Sequence, residues 1–195
     1  MLATCMTLAL IAISSSSAKA HVAGDPRVDA VFEVADARLR RQMDAWFEYG
    51  DFPRVVELLK MRFAMWPTDF EVATDLGWMQ ENIDERAKAI ATYKAFRRFA
   101  KGDPDGPYPE ASYYYRQREW AKVPPLIEPS LAGKPHGNSW RILAHSYDRM
   151  GRLADSERVW RAYIAVAPTD ETAKLNLERV VKKRRTGSAA PPPAQ

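Results

Sequence analysis

The tripeptide Pro67-Thr68-Asp69 returns as Pro168-Thr169-Asp170, 101 positions later, and the coincidence extends well beyond these residues. At the same offset Trp46 meets Tyr147, Gly50 meets Gly151, Met43 meets Ala144 and Leu59 meets Trp160. Three units of about 34 residues account for such an offset, and a repeat of that length is one supersecondary element that buries its apolar face by stacking on its neighbours. Leu76-Gly77 followed by Ala89 and Tyr93 marks a further unit between the two tripeptides. Four units are expected, over residues 36–69, 70–103, 104–136 and 137–169.

The period inside each unit is helical. Trp140, Leu143, Ala144 and Tyr147 fall at i, i+3, i+4 and i+7, an apolar stripe on one helix face, and Gly151 ends that helix. A second helix from about Leu153 turns Val159, Trp160, Tyr163 and Ile164 inward until Pro168 stops it. Thr68 and Glu71 have capping-box spacing, which places the next helix just after Pro67. Each unit is therefore a helix hairpin. Residues 21–35 are an extension leading into the first helix: Asp25-Pro26 starts it, and Val28, Val31, Phe32, Ala35, Leu39, Met43 and Trp46 continue one stripe. Residues 170–185 form a C-terminal capping helix with Ala173, Leu177, Val180 and Val181 on one face. Residues 186–195, with a proline triplet and no apolar period, are expected to be disordered.

Trp140, Leu143, Ala144 and Tyr147, followed by Gly151 and Pro168, resemble a tetratricopeptide repeat. The second unit is similar through Leu76, Gly77, Ala89 and Tyr93, and the first through Trp46, Gly50, Phe52 and Pro67, with Val55 where alanine is usual. The third unit is degenerate: Ala111, Tyr114 and Trp120 sit at consensus places, but Pro107 and Pro109 delay its first helix and Pro124, Pro125 and Pro129 intrude on its second. Gly133-Lys134-Pro135-His136-Gly137 then reads as a flexible joint. The resemblance covers residues 36–169 and implies an all-α, right-handed solenoid of four helix-turn-helix hairpins with N- and C-terminal capping helices.

In that family the first helix of every hairpin lines a concave groove that receives an extended peptide or a partner helix. The resemblance maps this groove onto Arg40, Asp44 and Phe47, onto Thr74, Trp78 and Glu81, onto Ser112, Tyr115 and Arg116, and onto Arg141, His145 and Asp148. Trp78, Tyr115 and Arg141 are of the types that dominate interface energetics. Trp78 has an equal alternative, packing against the neighbouring hairpin, while Tyr113 and Tyr114 belong to the core. Chaperone-binding members of the family hold a C-terminal carboxylate in a lysine and asparagine clamp, but the first-unit groove position here is Asp44, an acid.

Compartment is written at the N-terminus. Residues 2–13 are mostly apolar and are followed by serines and Ala18-Lys19-Ala20, the pattern of a secretory signal peptide over residues 1–20 with cleavage after Ala20, although no basic residue precedes the apolar run. The run is too short to span a bilayer. Cleavage removes Cys5, the sole cysteine, and Lys19, so the net charge falls from +4 to +3 and no disulfide is available. A periplasmic or secreted chain stabilised by packing is expected.

No catalytic, metal or cofactor site emerges. His21, His136 and His145 lack metal-ligand spacing, and His145 with Asp148 one turn away reads as a solvated helix pair rather than a general base. Asp103-Pro104-Asp105-Gly106 is a turn, since its glycine comes too early for a calcium loop. The basic run 182–185 complements a helix C-terminus. Nucleic acid is not expected as a partner, and membrane contact is at most peripheral. The expected function is protein-protein interaction as a non-catalytic adaptor or assembly factor. The alternatives are an enzyme on a solenoid frame, and an envelope component that binds glycan or lipid through Trp78, Tyr115 and the basic tail.

Overall fold

The computed structural model describes residues 25–187, so the expected signal peptide and cleavage site, and the tail from residue 188, lie outside the described residues. Among the described residues the chain is all helix and turn, with no strand. Helices α1 (Pro26–Glu48) and α2 (Phe52–Met65) form the first hairpin, α3 (Phe70–Asn82) and α4 (Arg86–Phe99) the second. The third begins with α5 (Tyr108–Arg116). Its return arm is broken into a 3-10 turn at Trp120–Lys122, the one-turn α6 (Pro124–Ile127) and a second 3-10 stretch at Glu128–Gly133. Helices α7 (Gly137–Arg149) and α8 (Leu153–Val166) make the fourth hairpin, and α9 (Glu171–Arg185) packs on α8.

The repeat is visible in the backbone. Gly50, Asp84, Arg118 and Gly151 all have positive φ, between 61° and 75°, at the corresponding bend of each hairpin. Glycine takes this conformation freely, whereas Asp and Arg adopt it against their steric preference. The bend therefore survives in the degenerate unit, where residue type gives no hint of it. Prolines there break the return arm, yet Val123 and Ile127 remain fully buried and keep the core continuous.

In the first two hairpins Val55, Val56, Leu59, Leu76 and Met79 pack together, with Met43 and Trp46 partly buried against them. In the second half Trp140, Leu143, Ala144, Tyr147, Val159, Trp160 and Tyr163 form the core, which Ala173 and Val180 of α9 close. Tyr113 is buried with Ala89 and Tyr93, and Tyr114 is half-buried against both that cluster and the C-terminal core.

Two local expectations are corrected. The cap of α3 is Asp69, whose carboxylate accepts from the Val72 N–H at 3.1 Å, rather than Thr68 in a capping box. Asp170 repeats this at α9, accepting from the Ala173 N–H at 3.0 Å, so the aspartate is the working residue of the repeated tripeptide. The segment Gly133 to Gly137 is also tied down rather than a free joint: the His136 N–H donates to Asp105 at 2.8 Å, and Gly133 lies so close to Pro104 that a Cβ there would meet it at 2.8 Å.

Candidate functional site

Helices α3 and α5 bring together Thr74, Trp78, Glu81, Ser112 and Arg116, five of the residues that the family resemblance assigned to a groove. Thr74, Trp78, Ser112 and Arg116 line an open depression of about 300 Å³, with Asp75, Tyr93, Tyr108 and Pro109 completing its wall. Its floor depends on a missing side chain. A Cβ on Gly77 would lie 2.2 Å from the Tyr93 ring, so only glycine lets that buried tyrosine pass beneath α3. The Tyr93 hydroxyl then donates to Glu81 at 2.8 Å. Burial, reinforced by that bond, pushes the phenol far above its usual range.

Glu81 also holds α5. Arg116 donates to it at 2.5 Å and, through its other terminal nitrogen, to the Ser112 hydroxyl at 2.9 Å. Trp78 remains 48% exposed, which selects the open face over packing on the next hairpin. Tyr108 is stacked on Phe70, ring centroids 6.1 Å apart, and is thereby fixed as an aromatic wall. Asp75 forms no hydrogen bond or ion pair among the described residues. Loss of hydration in the concave surroundings raises its carboxyl, opposed by Arg62 and reinforced by Glu71 and Asp69.

The remaining predicted groove residues lie elsewhere. Arg40 pairs with Asp36 at 2.9 Å, Asp44 is exposed, and Phe47 meets Phe52 edge-on at 5.5 Å; none lines the depression. Tyr115 is half-buried against the C-terminal core. The fourth unit departs most from the expected open groove, because α9 occupies the place that a fifth hairpin would take. Arg141 donates to Asp170 at 2.7 Å and to Asn138 at 3.0 Å, with its guanidinium over the Tyr163 ring. His145 meets Trp160 edge-on at 5.2 Å, and burial, with Arg179 nearby, lowers its pKa. Asp148 is buried and receives Lys183 at 2.7 Å and Arg179 at 3.3 Å. Arg141 and Asp148 thus hold the capping helix, while His145 packs on α8. From the basic run, Arg184 is likewise engaged, by Glu157 at 2.7 Å.

Asp75, Tyr93, Tyr108 and Pro109 line the depression without having been assigned to the groove from the sequence. Asp75 lies one turn before Trp78, within reach of a helical-spacing argument; Tyr93 reads in the sequence only as a repeat-consensus residue, and the delayed start of α5 hides Tyr108. Among the described residues there is no cluster of three or more His, Cys, Asp or Glu placed to hold a metal, and no helix is long and apolar enough to cross a membrane.

No protein-family model matches the chain, and no curated protein matches it. Solved structures do. The crystal structure of MamA protein superposes with a TM-score of 0.59 at 17% identity, covering 76% of this chain and 81% of that one. A MamA mutant gives 0.56 at 14% identity over 81% and 88%, and a MamA RS-1 double mutant 0.52 at 14% over 79% and 97%. At these identities the likeness is one of fold: an all-α, tetratricopeptide-like stack of hairpins.

Proposed function

We propose that this chain is an exported, non-catalytic scaffold that binds a protein partner in the cell envelope, as an adaptor or assembly factor, and that an extended segment of the partner enters the depression between α3 and α5. The observation that carries this is Trp78, a large aromatic side chain left 48% exposed on the wall of a 300 Å³ depression beside Tyr108 and Arg116. Trp, Tyr and Arg dominate the energetics of protein interfaces, and here Trp78, Tyr108 and Arg116 converge on a concave surface. The fold likeness to MamA structures supports a helical-hairpin scaffold, and the apolar run over residues 2–13 followed by Ala18-Lys19-Ala20 supports export. The glycan or lipid alternative draws less support, since Tyr115 packs against the core and Lys183 and Arg184 are engaged by acids.

A photo-crosslinking amino acid placed at position 78, and in a control at position 94 on the exposed side of α4, tests the site in cells that express the full chain. A single protein adduct at 78, absent at 94 and reduced by Arg116→Ala, is expected. Equal adducts at both positions, or none at 78, would refute the groove. N-terminal sequencing of the purified protein tests export: a chain beginning at His21 is expected, and an intact Met1 refutes it.

A further inference from the structure

The nature of the side chain that fills the depression follows from its charges, and the inference rests on the peptide-binding role just proposed. We propose that the depression takes a basic side chain, Lys or Arg, of the partner segment, its aliphatic stem against Trp78 and Tyr108 and its charge toward Asp75.

The aromatic walls favour such a guest. A cation is attracted to the faces of Trp and Tyr, and the methylene stem of Lys or Arg covers apolar surface while its charged head stays polar. The walls alone would also accept an apolar side chain, so the charges decide. Arg116 is the cation of the depression, but Glu81 and Ser112 already take its terminal nitrogens at 2.5 and 2.9 Å. Arg62, which faces Asp75 from α2, donates to Asp36 at 2.7 Å. Asp75 has no such partner, and Asp69 and Glu71 beside it add negative charge of the same sign. The local surplus is therefore anionic. A carboxylate guest would have to pull Arg116 from Glu81 while facing Asp75, whereas an ammonium or guanidinium adds the close counter-charge that Arg62, already bound to Asp36, supplies only from a distance.

The probes are N-acetylated, C-amidated nonapeptides of Gly and Ser with a central Lys, Arg, norleucine or Glu. They are titrated into the isotopically labelled full chain while the Trp78 indole N–H resonance, assigned with Trp78→Phe, is followed. The Lys and Arg probes are expected to saturate the shift at about tenfold lower concentration than norleucine, the scale of a partly desolvated cation-aromatic and ion-pair contact. The Glu probe should leave it unmoved, and Asp75→Asn should abolish the preference for Lys over norleucine without altering helix content. Equal affinity for Lys and norleucine, tighter binding of Glu, or an unchanged preference in Asp75→Asn overturns the basic guest while leaving a peptide groove in place. A Trp78 resonance that no probe moves overturns both.

Discussion

Replacing Asp148 by Asn keeps the shape of the side chain and removes its charge, and the consequence separates a groove residue from a helix anchor. Asp148 is 7% exposed at its side chain, receives Lys183 at 2.7 Å and has Arg179 at 3.3 Å, both from α9. A hydrogen bond to a charged group contributes about 1.5–3 kcal/mol. Lys183 keeps access to water, and Arg179 is more than half exposed, which limits its share to about 0–1 kcal/mol. The expected loss is about 1–2 kcal/mol, because Asn still accepts a bond and the freed cations re-solvate. That is a large fraction of what docks α9, since Ala173 and Val180 are its only fully buried residues and burying a valine is worth about 1.5–3 kcal/mol. In a repeat fold the terminal helix opens by itself, so the effect is local. Hydrogen exchange followed by mass spectrometry should show the amides of α9 exchanging about 5–30-fold faster, with those of α3 unchanged and binding at Trp78 intact. Unchanged exchange in α9 together with lost binding would refute the anchor and return Asp148 to the groove.

Gly77→Ala places a Cβ 2.2 Å from the ring of buried Tyr93, and overpacking of up to about 3 kcal/mol set against the roughly 1 kcal/mol of helix propensity gained gives an expected net loss of up to about 2 kcal/mol; an unmoved urea midpoint would mean that Tyr93 yields freely. Asp36→Ala leaves buried Arg62 without its 2.7 Å partner and should cost about 3 kcal/mol, whereas the double variant Asp36→Leu with Arg62→Met should recover most of it; equal losses by urea denaturation would count against a stranded charge. The Asp170 carboxyl is held below its ordinary value by the Ala173 N–H and by Arg141 and Tyr163, against the cost of desolvation. Because the folded value lies below the unfolded one, its contribution is complete above about pH 3.9 and is lost as pH falls through the folded value. Acid titration followed by tryptophan fluorescence should therefore show a transition below about pH 4 that Asp170→Asn flattens, and an identical acid limb in the variant would exclude this origin.

Most of the architecture was legible in the residues. The stripe Trp140, Leu143, Ala144, Tyr147 specifies a buried helix face because the helical period is set by backbone geometry, and the structure buries all four. Gly50 and Gly151 marked two of the bends. The other two were silent, because Asp84 and Arg118 adopt the left-handed conformation under the demand of the packed hairpins. Prolines 124, 125 and 129 announced a broken arm, but not that Val123 and Ile127 would still reach the core. Helical spacing also grouped Thr74, Trp78 and Glu81 on one face and Arg141, His145 and Asp148 on another, with nothing to tell the two faces apart.

What the sequence by itself determined is the periodic part: helices of set length, turns at set intervals, and an apolar face on each, all consequences of local backbone preference. Tertiary structure alone decided which first-helix faces stay open. Glu81 meets Arg116 and Asp148 meets Lys183, each across 35 residues, yet the first pair borders a depression and the second lies under a capping helix. The difference lies in what packs next in space, and a helix carries no local record of the neighbour that will cover it.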